Sequence, residues 1–388
     1  MEYRHWSRMG ENARIFAFLP DALISGTAKP TLKLFNTIVF LAALLLLFLT
    51  FYKHNQALLG IVVCLLVLAT PFYQYAIFRQ KNIFALLASV YLLISAINVK
   101  FIFSENSSKW NFIFPLISGI LIGFFTEIRG EIIVVFVTAL IYYMFAGGQK
   151  IVVRFLLIIL LVLSFLSTRN SIRKYFDNKY DETMQLVIEK NGHPYNGKRA
   201  SAHSFWHPVF CGLGDFDTKY GYKWNDTVAY QYAIPFLIQN YNINLPYSGK
   251  YHFDAYYDSD SLYYIKFEEF PVYESIIKVK VLNDIKSDPI WFLSIISKRI
   301  VRIFSNTLPI PLVGWLFIPL LLFLIIKSRW RLLLFLVASL PLSLTPLLFF
   351  SGGNSTYNSI FPIIALSIIA SLFYEKIKNS NESTKSQS

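Results

Sequence analysis

Charged residues and cysteines are both scarce in this chain of 388 residues. Asp, Glu, Lys and Arg make up 15% of it, whereas a soluble domain carries roughly a quarter, so the composition excludes an ordinary soluble protein. Only two cysteines occur, Cys64 in an apolar segment and Cys211 in a polar one, and we do not expect them to pair. The first 33 residues also lack the short apolar core and small-residue cleavage site of a signal peptide.

Apolar residues are abundant instead: 55% of the chain is hydrophobic, 17% is aromatic and the mean hydropathy is +0.48. They form nine apolar segments. Each is close in length to a transmembrane helix, which needs about 20 residues to cross a bilayer. These segments are 34–51, 58–78, 83–102, 111–126, 132–146, 151–166, 310–326, 332–350 and 359–374. The pattern predicts an all-α polytopic membrane protein with about nine transmembrane helices and one extracytoplasmic domain that is mixed or mostly helical.

The formal net charge of +13 does not indicate a nucleic-acid-binding protein. Residues 168–289 contain 14 Lys and Arg against 15 Asp and Glu, so the long polar region is close to neutral. The excess cations lie at the ends of apolar segments, where they orient a protein in the membrane and attract anionic lipid. The short-loop cations that predict the cytoplasmic face are Lys150, Arg154, Lys327, Arg329, Arg331, Lys376 and Lys378.

This orientation divides the chain into five regions. We expect an extracytoplasmic N-terminal segment, a bundle of about six transmembrane helices, an extracytoplasmic domain, a bundle of about three helices and a cytoplasmic tail. Their bounds are 1–33, 34–167, 168–308, 309–374 and 375–388. An odd number of spans places the first region outside, either as a translocated tail or because an initial span is missing from the chain as given.

The stretch 202–232 resembles a functional site more than any other part of the sequence. It combines two histidines, three carboxylates, three glycines and many aromatic residues. His203 and His207 are four residues apart, which would place both imidazoles on one helical face. Either histidine would serve as a general base or contact a phosphate or sugar hydroxyl. Pro208 favours the alternative, a loop in which the imidazoles bond only to the backbone.

Three aspartates in the same stretch add acidic groups. Asp215-Phe-Asp217 has the spacing of a metal–phosphate-binding pair, and Asp226 or either of these could complete a metal shell with the histidines. Turn residues that bond to their own backbone are the alternative. We predict Asp215, Asp217, His207 and Asp226 as catalytic, with no metal ligand assigned. A divalent cation is left open as a cofactor.

Aromatic side chains are also dense in this stretch. Flat rings stack on the apolar faces of sugars, and they also line membrane interfaces without binding anything. Trp206, Trp224 and His203 are the residues here that we predict to bind substrate.

A second candidate site is the turn 126–131, Thr-Glu-Ile-Arg-Gly-Glu, between two short spans. Three charges so close to hydrocarbon are costly unless they face a polar cavity or one another. The guanidinium of Arg129 would suit a phosphate, and we predict Glu127, Arg129 and Glu131 as substrate-binding. The alternative is an Arg129–Glu pair that only stabilises the hairpin.

Residues 290–304 form the third candidate. Ser294, Lys298, Arg302 and Ser305 recur at three- or four-residue spacing, and apolar residues cover the remaining surface. This pattern predicts an amphipathic helix in the plane of the outer leaflet, on which Lys298 and Arg302 contact substrate.

Three features of this layout resemble the GT-C superfamily of integral membrane glycosyltransferases. The glycine-bearing span 119–125 ends in the turn 126–131, which looks like their common Thr-Arg-Pro-Glu turn. Segment 288–299, which begins Asp-Pro-Ile-Trp-Phe-Leu and ends in Lys-Arg, is similar to the helix before their late spans, and segment 28–34 is similar to the start of their second span. These enzymes also carry an acidic motif in the first outer loop, for which Asp21 is the nearest substitute here.

The resemblance implies an enzyme of the bacterial plasma membrane. It would move a sugar from a polyprenyl-phosphate carrier to a cell-surface glycan, lipid or protein acceptor on the extracytoplasmic face. A carboxylate, His203 or His207 would deprotonate the acceptor hydroxyl, while Arg129, Lys298 and Arg302 would stabilise the phosphate leaving group.

Two other functions stay open alongside the transferase. A surface-polysaccharide polymerase or ligase is the alternative enzyme. A non-catalytic accessory subunit is the non-enzymatic alternative, and the missing acidic motif favours it. A transporter fits less well, because charged residues are nearly absent from the spans.

Overall fold

The structure is a computed structural model and describes residues 13–26, 31–70, 85–103, 109–145, 149–192, 205–241, 254–258, 261–265, 270–307, 310–348 and 359–385. Within these ranges the chain is predominantly helical. The helices are α1 (Arg14–Ser25), α2 (Lys33–Lys53), α3 (Ala57–Ala69), α4 (Ala85–Asn98), α5 (Lys100–Phe103), α6 (Ile113–Thr126), α7 (Ile133–Met144), α8 (Ile151–Glu189), α9 (Trp206–Leu213), α10 (Asp226–Tyr241), α11 (Phe270–Ser287), α12 (Pro289–Ser305), α13 (Phe317–Ile326), α14 (Trp330–Val337), α15 (Pro341–Leu348) and α16 (Ile360–Lys385). The same ranges contain one antiparallel hairpin, in which β1 (Asp254–Asp258) pairs with β2 (Ser261–Ile265) and Tyr256 lies opposite Tyr263.

Among the described residues, four helices are long and apolar enough to cross a membrane. They are Lys33–Lys53, Leu86–Phe103, Ile151–Glu189 and Ile360–Asn379. The other predicted spans coincide with shorter apolar helices of 10–17 residues, Ala57–Ala69, Ile113–Thr126, Gly130–Met144, Val313–Ile326 and Trp330–Leu344. The helical fold and apolar helices compatible with a membrane protein therefore agree with the sequence, while the count of nine spans and the extracytoplasmic side of the polar region stay predictions.

Contacts between residues divide the chain into two compact units. The polar unit consists mainly of Asn170–Ile300, and the membrane unit consists mainly of Ala13–Arg169, Val301–Thr345 and Gly353–Ser388. Helix α8 contributes its apolar N-terminal part to the membrane unit and its polar C-terminal part to the polar unit. The predicted helix at 290–304 is confirmed as α12, whose first residue is Pro289.

Close helix contact in the membrane unit depends on a glycine of α6. A Cβ atom built on Gly119 would lie 1.9 Å from Ser164 Oγ and 2.6 Å from the Leu161 carbonyl oxygen, both on α8. Without a side chain at this position the two backbones approach closely, which is how small residues promote helix association in lipid. The glycine-bearing span thus has a packing role at this contact.

Polar side chains inside the membrane unit bond to one another across helices. Asn98 Nδ2 donates to Ser118 Oγ at 2.8 Å, and the Tyr143 hydroxyl donates to Asn98 Oδ1. Thr138 Oγ1 donates to the Ala338 carbonyl oxygen at 3.0 Å. Because hydrocarbon supplies no hydrogen-bonding partners, these bonds hold the helices in one register.

The polar unit has its own apolar core, built from α9, α10, α11, the first turns of α12 and the end of α8. Its buried members are Met184, Val209, Phe210, Cys211, Leu213, Tyr222, Ala229, Tyr230, Ala233, Ile234, Tyr273, Ile277, Val281, Trp291 and Ile295. Asp288 caps the start of α12: its carboxylate accepts the Trp291 N–H at 3.0 Å, and Pro289 occupies the first helical position. This core fixes the ends of the helices that carry the candidate site.

Candidate functional site

Helix α9 positions His207, and its start depends on a carboxylate from another helix. The residue before it, Phe205, has no side-chain oxygen to cap the helix. Glu274 of α11 replaces that cap, accepting the backbone N–H groups of Phe205 at 2.9 Å, Trp206 at 2.8 Å and His207 at 3.3 Å. Pro208 falls in the first turn, where a missing N–H costs little. For His207, the loop interpretation is therefore wrong.

His207 joins two groups that lie far from it in the sequence. Its Nε2 is 3.0 Å from Asp226 Oδ1, at the start of α10, and its Nδ1 is hydrogen-bonded to the Tyr273 hydroxyl of α11. The ring also stacks on Tyr230, with centroids 5.3 Å apart and planes inclined by 24°. The imidazole is 13% exposed and the Asp226 side chain 72% exposed. The cluster of Tyr273, His207 and Asp226 thus runs from the core to solvent.

The pKa values in this cluster define its proton arrangement. The hydrogen bond from His207 holds the pKa of Asp226 below its ordinary value, against the opposing effect of burial. Burial raises the pKa of Tyr273 well above its ordinary value, so this hydroxyl keeps its proton. An ionised carboxylate only accepts, so His207 Nε2 carries a hydrogen and donates it to Asp226. Asp226 is therefore an ionised, oriented and exposed proton acceptor.

Cys211 lies beside this pair, one helical turn after His207. Its Sγ is 3.8 Å from both His207 Nε2 and Asp226 Oδ1. Burial, with a contribution from Asp226, raises the pKa of the thiol to about 12, so it is protonated at neutral pH. Ligand atoms of His207, Cys211 and Asp226 lie within 4.8 Å of one another, and among the described residues this is the one set of three or more that could hold a metal ion.

Asp217 organises the loop after α9. Its carboxylate accepts the backbone N–H groups of Lys219, Tyr220 and Tyr222 and the indole N–H of Trp291. Burial alone would raise the pKa of Asp217, but these four hydrogen bonds bring it below the ordinary value. The loop closes through Gly221, whose φ of +80° favours glycine.

Asp215 faces a different partner from Asp217. Its Oδ2 is 3.9 Å from the Nε of Arg299 on α12, and the two side chains are 7% and 1% exposed. Arg299 is among the largest fully buried side chains of the described residues. The structure therefore brings His207 together with Asp226, while Asp215 and Asp217 bond to other groups. The catalytic roles of these two aspartates stay predictions.

The loop returns to α9 at Gly214. A Cβ atom on Gly214 would lie 2.3 Å from the Cα and 2.4 Å from the carbonyl carbon of Lys223. Since backbone cannot move aside cheaply, we expect Gly214→Ala to destabilise the protein by about 1–3 kcal/mol. Urea unfolding followed by tryptophan fluorescence would measure this loss. Lys223→Ala, which removes an exposed side chain from the same contact, should change the free energy of unfolding by less than about 0.5 kcal/mol, and equal losses in both variants would contradict the backbone explanation.

The aromatic residues of the segment divide into packed and exposed rings. Tyr220 and Tyr222 pack on Trp291 at centroid distances of 4.7 and 5.7 Å. Trp224, two residues before Asp226, and Phe205, two residues before His207, are exposed. Each exposed ring thus lies two residues from a member of the cluster of Tyr273, His207 and Asp226. His203 lies outside the described residues.

Helix α12 is amphipathic, although its buried face includes a charge. Arg299 is buried in line with Ile295, one turn earlier, and Trp291, two turns earlier. Lys298 is exposed, with its Nζ 6.0 Å from the centre of the Phe216 ring, and Arg302 is half-buried. Exposed apolar side chains follow another face, at Ile290, Leu293, Ile300 and Val301. The in-plane position of this helix stays a prediction.

The predicted charged turn lies in the membrane unit. Arg129 forms an ion pair with Glu131, and both side chains are largely buried. Glu127 is 1% exposed and accepts from Arg169 Nε at 2.9 Å. Each glutamate thus bonds to an arginine. The substrate-binding roles of Glu127, Arg129 and Glu131 stay predictions.

Sequence reasoning missed several residues of these sites. Tyr273 and Glu274 carry no local pattern that distinguishes them from other residues of a helix start. Arg169 follows the last apolar residues of a span, where a cation is ordinary. Their partners lie 42 to 69 residues away, so only folding shows the pairing. Comparison of this chain with protein-family models, curated proteins and solved structures finds no match.

Proposed function

We propose that this chain is a membrane glycosyltransferase that moves a sugar from a polyprenyl-phosphate carrier to an acceptor hydroxyl on the extracytoplasmic face. The observation that carries the proposal is the exposed Asp226 carboxylate, which accepts from His207 at 3.0 Å while Tyr273 bonds to the second ring nitrogen. A carboxylate oriented in this way is suited to remove a proton from a bound hydroxyl.

In the proposed reaction the acceptor oxygen attacks the anomeric carbon of the donor sugar. A carbon–oxygen bond forms as the bond between that carbon and the carrier phosphate breaks, and the electron pair of the broken bond stays on the phosphate. The hydroxyl proton passes to Asp226. His207 is a positioning residue, since it orients the carboxylate and keeps it ionised through its N–H.

In this proposal, exposed aromatic side chains of the polar unit bind the sugar. Trp224 and Phe205 are exposed and close in sequence to Asp226 and His207. A flat aromatic side chain covers the apolar face of a sugar at a small entropic cost. The exposed Lys298 adds a positive charge for an anionic group.

Recognition of the lipid carrier falls to the membrane unit. Its apolar helices accommodate an isoprenoid chain, and Arg129 offers a guanidinium for phosphate. The turn 126–131 that holds Arg129 is also one of the three segments that resemble the GT-C superfamily. A lipid-linked donor therefore fits both the composition of this unit and its charged turn.

The proposal is tested with the full chain in lipid nanodiscs and a panel of polyprenyl-phosphate donors that carry radiolabelled sugars. Wild-type protein should transfer label and release one polyprenyl phosphate for each sugar transferred. Asp226→Asn should abolish transfer, whereas Asp181→Asn, which neutralises an exposed carboxylate of α8, should not. If the protein transferred sugar from none of the donors to any acceptor, the proposed transferase function would be refuted.

A chelator arm of the same assay examines the cluster of His207, Cys211 and Asp226. Transfer that persists in the chelator is expected for a carboxylate base. Loss of transfer that added zinc restores would assign these side chains to a metal ion instead.

A further inference from the structure

Three side chains with metal-binding atoms converge at the edge of the core of the polar unit. His207 and Cys211 lie four residues apart on one face of α9, and Asp226 reaches them from the start of α10. Cys211 Sγ is 3.8 Å from both His207 Nε2 and Asp226 Oδ1, and these two atoms are 3.0 Å apart. Nitrogen, sulfur and oxygen donors therefore lie in mutual contact.

These separations are close to those between the ligands of a tetrahedral zinc ion. Zinc bonds of about 2.0–2.2 Å to nitrogen and oxygen and about 2.3 Å to sulfur place neighbouring ligand atoms roughly 3.3–3.7 Å apart. The three observed separations differ from that range by about 0.3 Å or less. Small side-chain rotations would therefore place all three atoms on one ion.

The surroundings of these side chains also suit a metal ion. The Tyr273 hydroxyl bonds to Nδ1, the other ring nitrogen of His207, and such outer partners orient histidine ligands. The Asp226 side chain is 72% exposed, so an ion can enter from solvent and keep water at its fourth position. Thiolate and imidazole ligands favour zinc over magnesium and calcium, which prefer oxygen.

We propose that zinc binds to His207 Nε2, Cys211 Sγ and an Asp226 carboxylate oxygen and thereby inhibits sugar transfer. On binding, the thiol proton passes to solvent and Nε2 gives up the hydrogen that it donates to Asp226, because metal ligands must be deprotonated. The positive charge of the ion then makes the Asp226 carboxylate a poor proton acceptor. The inhibition rests on the proposed function, whereas the metal site does not.

Metal binding is measured without sugar transfer, on the full chain in nanodiscs and without a histidine tag. Zn²⁺ is titrated by calorimetry, and Co²⁺ is added as a probe whose charge-transfer absorption reports a thiolate ligand. Cys211→Ser and Asp226→Asn each remove one ligand, and the exposed Asp226 can be replaced without disturbing the core. Cys64→Ser is the matched control, because it removes the thiol of the apolar helix α3.

Both ligand variants should bind zinc at least about 100-fold more weakly than wild type, since even the loss of an outer partner costs about 10- to 100-fold in affinity. The cobalt–thiolate absorption should disappear in Cys211→Ser and persist in Cys64→Ser. Wild-type zinc affinity in either ligand variant would overturn the site. So would wild-type protein that shows no cobalt–thiolate absorption.

Inhibition is measured by radiolabelled sugar transfer, with the rate of each protein in zinc divided by the rate of the same protein in chelator. At a zinc concentration that saturates wild type, this ratio should approach zero in wild type and Cys64→Ser and stay near one in Cys211→Ser. Zinc that binds at these ligands and leaves transfer unchanged, or raises it, would overturn the inhibitory role. Zinc binding in a protein that transfers no sugar would support the metal site and refute the proposed function alone.

Discussion

Replacing Asp226 with Asn is expected to lower the kcat of sugar transfer by about 10²- to 10⁴-fold, the usual contribution of a general base. The amide keeps the size of the side chain but cannot accept the hydroxyl proton. KM for the donor should change little, because Asp226 contacts the acceptor in the proposed reaction. Steady-state kinetics with a radiolabelled donor would measure both constants, and wild-type kcat in Asp226→Asn would exclude this carboxylate as the base.

The pH profile of kcat in His207→Gln tests whether His207 orients the Asp226 carboxylate or only packs against its neighbours. His207 holds the pKa of Asp226 below its ordinary value, so the carboxylate stays ionised and active as the pH falls until that lowered pKa is reached. Without His207 the pKa of Asp226 rises, and the acid limb of the kcat profile should move to higher pH. Loss of activity with an unmoved acid limb would mean that His207 acts only by packing. Cys211→Ser is the matched control. Its thiol also hydrogen-bonds to Asp226, and the serine hydroxyl can replace that donor, so the acid limb should stay in place.

The second large effect concerns stability. Asp215→Ala is expected to lower the free energy of unfolding by about 3–5 kcal/mol, because removing one member of a buried ion pair leaves the other charge in a poorly solvated site. Arg299 is 1% exposed and lies 3.9 Å from this carboxylate. Urea titration of the full chain with tryptophan fluorescence as the signal would measure the loss.

A double substitution tests whether charge explains that loss. Asp215→Leu combined with Arg299→Met removes both charges and fills much of their volume, so it should be more stable than Asp215→Ala. A double variant as unstable as Asp215→Ala would point to shape instead of charge. Transfer activity that the double variant retains would show that Asp215 supports the fold and is not a catalytic residue.

Local signals explain which elements the sequence predicted well. The spacing of polar and apolar residues predicted the helix at 290–304 that the structure has as Pro289–Ser305. Hydropathy located the apolar helices, because each polar group placed in hydrocarbon adds its own free-energy cost. Their crossing of the membrane, in contrast, depends on length and surroundings, which is why the number of spans stays a prediction.

The candidate site was only partly visible in the sequence. Residue chemistry singled out His207 and Asp226, but the same reasoning grouped them with Asp215 and Asp217. The loop turns back on itself at Gly214, where backbone meets backbone, so that Asp217 bonds to that loop and to Trp291 while Asp215 faces Arg299. Spacing along the chain cannot reveal such a reversal.

Composition, hydropathy and helical periodicity by themselves determined that this protein has apolar helices compatible with a membrane, a separate polar region and several charged segments. These properties depend on each residue and its near neighbours. Only the tertiary structure decided that His207 bonds to both Asp226 and Tyr273, that Glu274 caps α9, and that Asp215 faces Arg299. Such contacts join residues far apart in the chain, and the packing of whole helices selects them because no local preference favours one distant partner over another.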